Sequence, residues 1–168
     1  SIKCAIPLQN GNIAIGTSKG LYELDIRMEG EGQAATPIRF LGDGWLSTVY
    51  QDPLGQIWYG TRTGIFKYDG NESRSMDFIS KAIPSQINHI TGAGDGRMIF
   101  SSHGHGLFIA VGEEIRHFKR EDGLSSNICN QAYFGSDGDI WVATNKGLNR
   151  IRFKDDWLGS FVIETINI

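Results

Sequence analysis

The chain has no hydrophobic run long enough to cross a membrane. Nowhere in its 168 residues do eighteen apolar residues follow one another, the length a spanning helix requires. No membrane contact is expected of this segment itself. Charge of one sign is equally scarce: 16 Lys and Arg against 19 Asp and Glu leave a net charge of −3. A nucleic-acid partner needs a basic face, so none is expected. Cysteine is limited to Cys4 and Cys129, without CxxC or metal-ligand spacing. They read as two buried strand thiols rather than a disulfide, and they leave the redox compartment open. The opening "SIKCAIPLQN" has no charged n-region followed by an apolar h-region. No signal peptide is expected there, as none would be in an excised piece. G-x-S-x-G, a Walker loop and H-E-x-x-H are all missing. With no nucleophile spaced tellingly from a base, no catalytic residue, metal or cofactor is assigned.

What the chain does have is glycine, 22 of them, spread over turn positions rather than pooled in a linker. That is the pattern of many short strands joined by tight turns. One phrase recurs four times: "GNIAIGTSKGLYEL" (11–24), "GQIWYGTRTGIFKY" (55–68), "GRMIFSSHGHGLFIA" (96–110) and "GDIWVATNKGLNRI" (138–151). Its leading glycines, Gly11, Gly55, Gly96 and Gly138, are separated by 44, 41 and 42 residues. A period near forty is that of four-stranded propeller blades. The third copy carries one extra residue before its second turn glycine, at "SHGHG" (102–106).

Within the second unit, "LSTVYQD" (46–52), "QIWYGT" (56–61), "IFKYD" (65–69) and "SMDFI" (75–79) read as four strands. "PLG", "RTG" and "GNES" are the hairpin turns between them. The first unit runs "IKCAIPL", "NIAIGT", "GLYELDI", "TPIRFL". The third runs "QINHITG", "RMIFSS", "GLFIAV", "EIRHFK", and the fourth "NICNQAYF", "DIWVAT", "GLNRIRF", "FVIETINI". The fold class is therefore all-β: four four-stranded antiparallel β-propeller blades in one fragment, a partial propeller or a piece of a larger one. Approximate blade bounds are 1–41, 42–82, 83–121 and 122–168. Counting from the turn glycines makes Ile2, Leu46, Ile87 and Cys129 equivalent. The same count matches Ala5, Val49, Ile90 and Ala132, small or branched residues suited to the crowded centre of a propeller. Trp58 and Trp141 fill a slot that holds Ala14 and Ile99 elsewhere, which points to packing between adjacent blades rather than ligand stacking. Thr17, Thr61, Ser102 and Thr144 close the second strands, where a hydroxyl can bond the following turn. Asp52, Asp95 and Asp137 recur before the first turn and read as turn formers.

The pattern D-x-x-G-x-I-W-x-G-T-x-x-G-I/L resembles the two-component regulator propeller repeat. So does "EDGLSSN" (121–127), followed by a strand and "SDGDIWVATNKGLNRI". The resemblance spans the chain as four units. It is closest in the second and fourth and weakest in the third, where "MIFSS" replaces I-W-x-G-T. It implies a periplasmic sensor region of a bacterial, Bacteroidetes-type hybrid two-component system, in a membrane-anchored parent. Such a parent carries further propeller blades, an immunoglobulin-like domain, a histidine kinase and a DNA-binding domain. Its ligands are oligosaccharide fragments. Four units are fewer than the seven usual in such a propeller, so the resemblance also implies that this chain is part of a longer protein. The repeat is a scaffold motif with no catalytic residue.

One propeller face collects the loops entering the first strands and those joining strands two and three, and loops on a rigid scaffold are where function sits. There the sequence places Trp45, Arg62, His103, His105, Asn127, Asn145 and Lys146 as ligand-binding candidates. Trp45, in the Gly-rich "GDGWLST", lies outside the core-facing alternation. It either stacks on a sugar ring or covers the rim of its blade, while Arg, Asn and His can bond hydroxyls. His103 and His105, with His89 as a third ligand, could hold a metal. Without a nearby Cys or acidic ligand, they read instead as polar rim residues. Three function classes follow: a non-enzymatic sensor, a propeller lyase or lactonase, and a protein–protein scaffold. The enzyme class is disfavoured because the first strands offer only His89 and no inward carboxylate. An open arc of blades would leave apolar inter-blade faces bare, so self-association is expected.

Overall fold

Alternating, β-branched segments bounded by glycine turns form the strands. The computed structural model describes residues 1–25 and 37–166. Strands β1 (Ile2–Pro7), β2 (Ile13–Thr17), β3 (Gly20–Leu24) and β4 (Pro37–Asp43) make one sheet. The next comprises β5 (Leu46–Gln51), β6 (Ile57–Thr61), β7 (Ile65–Tyr68) and β8 (Ser73–Ser75). A third holds β9 (Ile87–Gly92), β10 (Arg97–Ser102), β11 (Leu107–Val111) and β12 (Glu114–Phe118). The fourth holds β13 (Cys129–Phe134), β14 (Ile140–Thr144), β15 (Gly147–Phe153) and β16 (Phe161–Ile166). Each sheet is an antiparallel meander in chain order, the form of a propeller blade. The chain divides into two compact units, residues 1–77 and 78–168, with two blades in each.

The register matches the equivalences counted from the glycines. Ile2, Leu46, Ile87 and Cys129 pair with Thr17, Thr61, Ser102 and Thr144. Deeper in, Ala5, Val49, Ile90 and Ala132 pair with Ile15, Tyr59, Phe100 and Val142. Val49, Ile90 and Ala132 are buried, whereas Ala5 is exposed. Between these two levels every first strand carries an extra residue relative to its partner. The extra residues are Lys3, Ser47, Asn88 and Asn130. Such a bulge re-aims the side chain it inserts.

In the unit spanning 1–77, β1 lies against β5. A core of Leu21, Leu41, Leu46, Val49, Ile57 and Tyr59 fills the space between the sheets. The Ser73 hydroxyl donates to the Leu41 carbonyl at 2.7 Å, tying the outer strand of one blade to the next. In the unit spanning 78–168, β9 lies against β13. The bulge residue Asn88 donates from its side-chain amide to the Cys129 carbonyl at 2.9 Å. On the outer side Arg116 of β12 sits among Phe118, Phe153 and Phe161, its guanidinium carbon 4.7–5.4 Å from the ring centres. It also donates to the Trp157 carbonyl. A cation held over aromatic faces joins the two blades of this unit electrostatically as well as by packing.

One predicted strand is different in the structure. The segment "SMDFI" is not the fourth strand of the second blade. That strand is Ser73–Ser75, and a short helix, α1 (Asp77–Ala82), follows it. Ile79 and Ile83 are buried four residues apart, a helical spacing rather than an alternation. Asp77 stands in the first turn and Lys81 in the last, each complementing the helix dipole.

The four leading glycines have φ of 86°, 80°, 97° and 84°, a region open to glycine at no steric cost. At Gly138 a Cβ would meet nothing within 4 Å, so conformation alone requires glycine there. Gly106, at φ 83°, is different: a Cβ would lie 2.1 Å from the Phe118 carbonyl oxygen. Gly138→Ala is therefore expected to cost about 1 kcal/mol. Gly106→Ala, with the same backbone penalty plus a main-chain collision, should cost clearly more. Urea unfolding of both variants measures this, and equal losses would refute the steric argument.

Candidate functional site

The loops between second and third strands share one construction. Thr17, Thr61, Ser102 and Thr144 donate from their hydroxyls to the carbonyls of Gly20, Gly64, Gly106 and Gly147 at 3.0, 3.1, 2.7 and 2.9 Å. The same oxygens accept a turn amide from Lys19, Thr63, His105 and Lys146 at 3.0–3.1 Å. Each turn is thereby pinned from below, and the residues at its tip are left to vary. The residue after the hydroxyl is Ser18, Arg62, His103 or Asn145. Three of the candidate residues are thus one structural position in three blades.

At this position the backbone usually reaches the residue that precedes the first strand. Ser18 donates its amide to Ser1, His103 to Gln86 and Asn145 to Ile128, at 3.0, 2.9 and 3.1 Å. In the second blade the equivalent pair is Trp45 and Arg62. Here the guanidinium carbon lies over the indole at 4.6 Å from its centre. Lys3, the bulge residue of the first blade, brings its ammonium to 5.1 Å from the same ring. Trp45 is half-buried, and Arg62 and Lys3 are exposed. Trp45 and Arg62 are therefore in contact, joined by a cation, Lys3, that no motif in the sequence marks.

The other candidates lie in the second unit. His103 bridges Ile128, and Asn145 bonds the same residue's carbonyl. The Asn127 carbonyl accepts the amides of Gly104 and Gly106 at 3.1 and 2.8 Å, and its side-chain oxygen accepts the Arg120 amide at 2.6 Å. Asn127 is thus a clamp for the loop, with its acceptors in use. His105 offers its carbonyl to the His117 ring. Asn145 and Lys146, both exposed, line an open hollow of about 600 Å³ with Thr144, Leu148 and Ile166. Among the described residues no group of three His, Cys, Asp or Glu side chains is placed to hold a metal. His89 instead packs against Tyr133 with ring centres 4.9 Å apart. Burial lowers its pKa, and its Nδ1 has no hydrogen-bond partner.

The remaining polar motifs serve architecture. In "EDGLSSN", Asp122 accepts the Lys119 amide at 3.0 Å. The Ser125 hydroxyl contacts Asn149 and Thr144 at 2.7 and 2.8 Å, and Ser126 accepts the Ile128 amide at 3.0 Å. The three recurring aspartates divide into two positions. Asn10, Asp95 and Asp137 are equivalent, and each accepts the amide two residues on, from Asn12, Arg97 and Asp139 at 3.0–3.2 Å. Leu54 occupies that position in the second blade, and Asp52 acts from two residues earlier. It accepts the Leu54 and Gln56 amides at 3.0 and 2.9 Å and the Trp58 indole N–H at 3.0 Å. Trp58 is 9% exposed and beside Lys67, while Trp141 is half-buried under Arg150. Both cysteines are free thiols, Cys129 buried with its pKa pushed up to about 12 and Cys4 half-buried with its pKa raised by burial.

No family model and no curated protein matches the sequence. Solved structures do. An extracellular domain described as that of the hybrid two component system BT3049 from B. thetaiotaomicron matches with a TM-score of 0.73 at 20% identity, over 98% of this chain and 23% of that one. PorZ, a surface component of the type-IX secretion system of Porphyromonas gingivalis, matches at 0.70 and 18%, over 88% and 25%. A catalytically inactive virginiamycin B lyase from Staphylococcus aureus, solved with quinupristin, matches at 0.68 and 15%, over 99% and 56%. This chain spans about a quarter of the first two proteins and just over half of the lyase. The fold they share with it is that of β-propeller blades. The extracellular domains of bacterial two-component systems are among the proteins built this way. No helix among the described residues is long and apolar enough to cross a membrane.

The geometry separates the two repeat tryptophans. Trp58→Ala removes a buried ring and an indole donor to Asp52, so a loss of about 3 kcal/mol is expected in urea unfolding. Trp141→Ala, starting from a half-exposed ring, should lose less. Equal losses would contradict the difference in burial.

Proposed function

We propose that this chain is part of the extracytoplasmic sensor region of a hybrid two-component system. In this reading it contributes propeller surface for a carbohydrate-derived ligand and performs no chemistry itself; the histidine kinase belongs to the parent protein. The observation that carries the proposal is the fold match to the BT3049 extracellular domain, which takes in nearly the whole chain. The build of the loops supports it. Hydroxyl-pinned turns present Arg62, His103, Asn145 and Lys146 as variable residues on an invariant frame. Exposed arginine, histidine and amide groups suit sugar hydroxyls, and an aromatic ring suits the apolar face of a pyranose. The parent would be anchored in the membrane, with this region in the periplasm.

The lyase match supports a second reading, a propeller enzyme, because its fold likeness also spans nearly the whole chain. His89, with its free Nδ1, is the residue on which such chemistry would draw. Self-association of the chain belongs to the sensor proposal. Ile2 is 67% exposed on β1 and Val162 43% on β16, apolar positions that other blades or a second copy would cover. A monomer at every concentration in solution scattering would contradict it.

A thermal-shift screen of the chain against oligosaccharides, with metal ions and chelator as controls, tests the reading. A stabilising shift with one saccharide class is expected, lost in Trp45→Ala while the unliganded melting temperature changes little. A shift with metal alone would favour the enzyme. Silence from all ligands would leave a scaffold.

A further inference from the structure

Repetition identifies scaffold in this protein, so a feature built at one repeated position and absent from its counterparts needs another cause. The trio Lys3, Trp45 and Arg62 is such a feature. The position of Trp45 is taken by Ser1, Gln86 and Ile128 in the other blades, and that of Arg62 by Ser18, His103 and Asn145. Those three pairs are closed by main-chain hydrogen bonds. The frame therefore requires neither an indole nor a guanidinium there. Lys3 shares its bulge position with Ser47, Asn88 and Asn130. Ser47 and Asn88 spend their side chains on backbone carbonyls, those of Gly60 and Cys129.

Among the described residues Trp45 is also alone in having two cations over one ring. Arg74, Arg97, Arg150 and Arg152 each pair with a carboxylate. Among the described residues neither Lys3 nor Arg62 does. Two like charges converge on one ring in a chain whose net charge is −3. The indole face attracts each cation but carries no net charge to neutralise them. An anion beside the ring would relieve their repulsion, and arginine presents a planar fork suited to carboxylate and sulfate oxygens.

We propose that Lys3, Trp45 and Arg62 form a subsite for an acidic saccharide, one bearing a carboxylate or sulfate group next to an apolar sugar face. This rests on the carbohydrate-sensor reading and narrows it from saccharides in general to anionic ones. Arg62 and Lys3 bind the anionic group, and the indole contacts the adjoining ring.

Titration calorimetry of the chain at low and physiological salt decides it. The probes are a tetragalacturonate, a sulfated tetrasaccharide, the carboxyl-reduced neutral tetrasaccharide and inorganic sulfate. The acidic saccharides are expected to bind about tenfold more tightly than the neutral one, and more weakly as salt rises. The uronate and the sulfated probe together report which anionic group is preferred. Arg62→Gln and Lys3→Gln should each remove most of that preference. Arg62→Lys should keep part of it, and melting temperatures should hardly move because both side chains are exposed. Equal binding of the neutral tetrasaccharide, or acidic-saccharide binding indifferent to Arg62→Gln, would overturn the subsite while leaving the sensor reading intact. Inorganic sulfate binding as tightly as the saccharides would overturn it as a simple ion site. If no saccharide binds, acidic or neutral, the sensor reading falls with it.

Discussion

One hydroxyl at the end of each second strand keeps the loop face in order. It donates to the glycine carbonyl that closes the turn and accepts an amide from within it. One turn carbonyl and one turn amide are then satisfied from the strand end, whatever residue stands at the tip. This freedom lets the tip carry serine, arginine, histidine or asparagine in successive blades with the same backbone course. In the third blade the extra residue is absorbed the same way: Ser102 still reaches its turn glycine, now Gly106. A loop whose backbone groups are paired can change its chemistry without refolding.

A second constraint acts at the first strands. A bulge at the same depth in all four blades turns one side chain out of the alternation. Where that side chain is Asn88 it ties β9 to β13, and where it is Lys3 it reaches the indole before β5. One backbone device thus does structural work in one unit and places a cation in the other. The contrast between repeated and unrepeated use of a position is what separates architecture from recognition here. Asn127 and the serines of "EDGLSSN" spend their polar groups on the frame and belong to architecture, whereas Trp45 with Arg62 stands apart.

Much of the frame was legible in the sequence because its causes are local. Positive φ at the leading glycines, hydroxyls at strand ends and the period near forty are short-range signals, and the register followed from them. The fourth strand of the second blade was misread because "SMDFI" mixes apolar and polar residues in a way that two periods fit; the burial of Ile79 with Ile83 decides for the helix. The bulges left no trace because Lys3, Ser47, Asn88 and Asn130 share only polarity, which an unbulged strand shows equally at its outward positions. The aspartates looked like one motif, yet Asp52 takes over from a neighbouring position because Leu54 has no acceptor to offer. Lys3 was missed at the candidate site because it comes from another blade, and nothing near it in the chain points toward Trp45.

The central claim is that a turn pinned from below positions the ligand-binding residue at its tip. The direct measurement is the affinity of Thr61→Val for the acidic tetrasaccharide, set against Thr144→Val. Thr61 is 3% exposed and Thr144 9%, and both hydroxyls are engaged within their own turns. Both variants should lose about 1 kcal/mol of stability. The account predicts that only Thr61→Val also loses affinity, since it alone loosens the turn that carries Arg62. Undiminished affinity in Thr61→Val, or an equal loss in both variants, would contradict it.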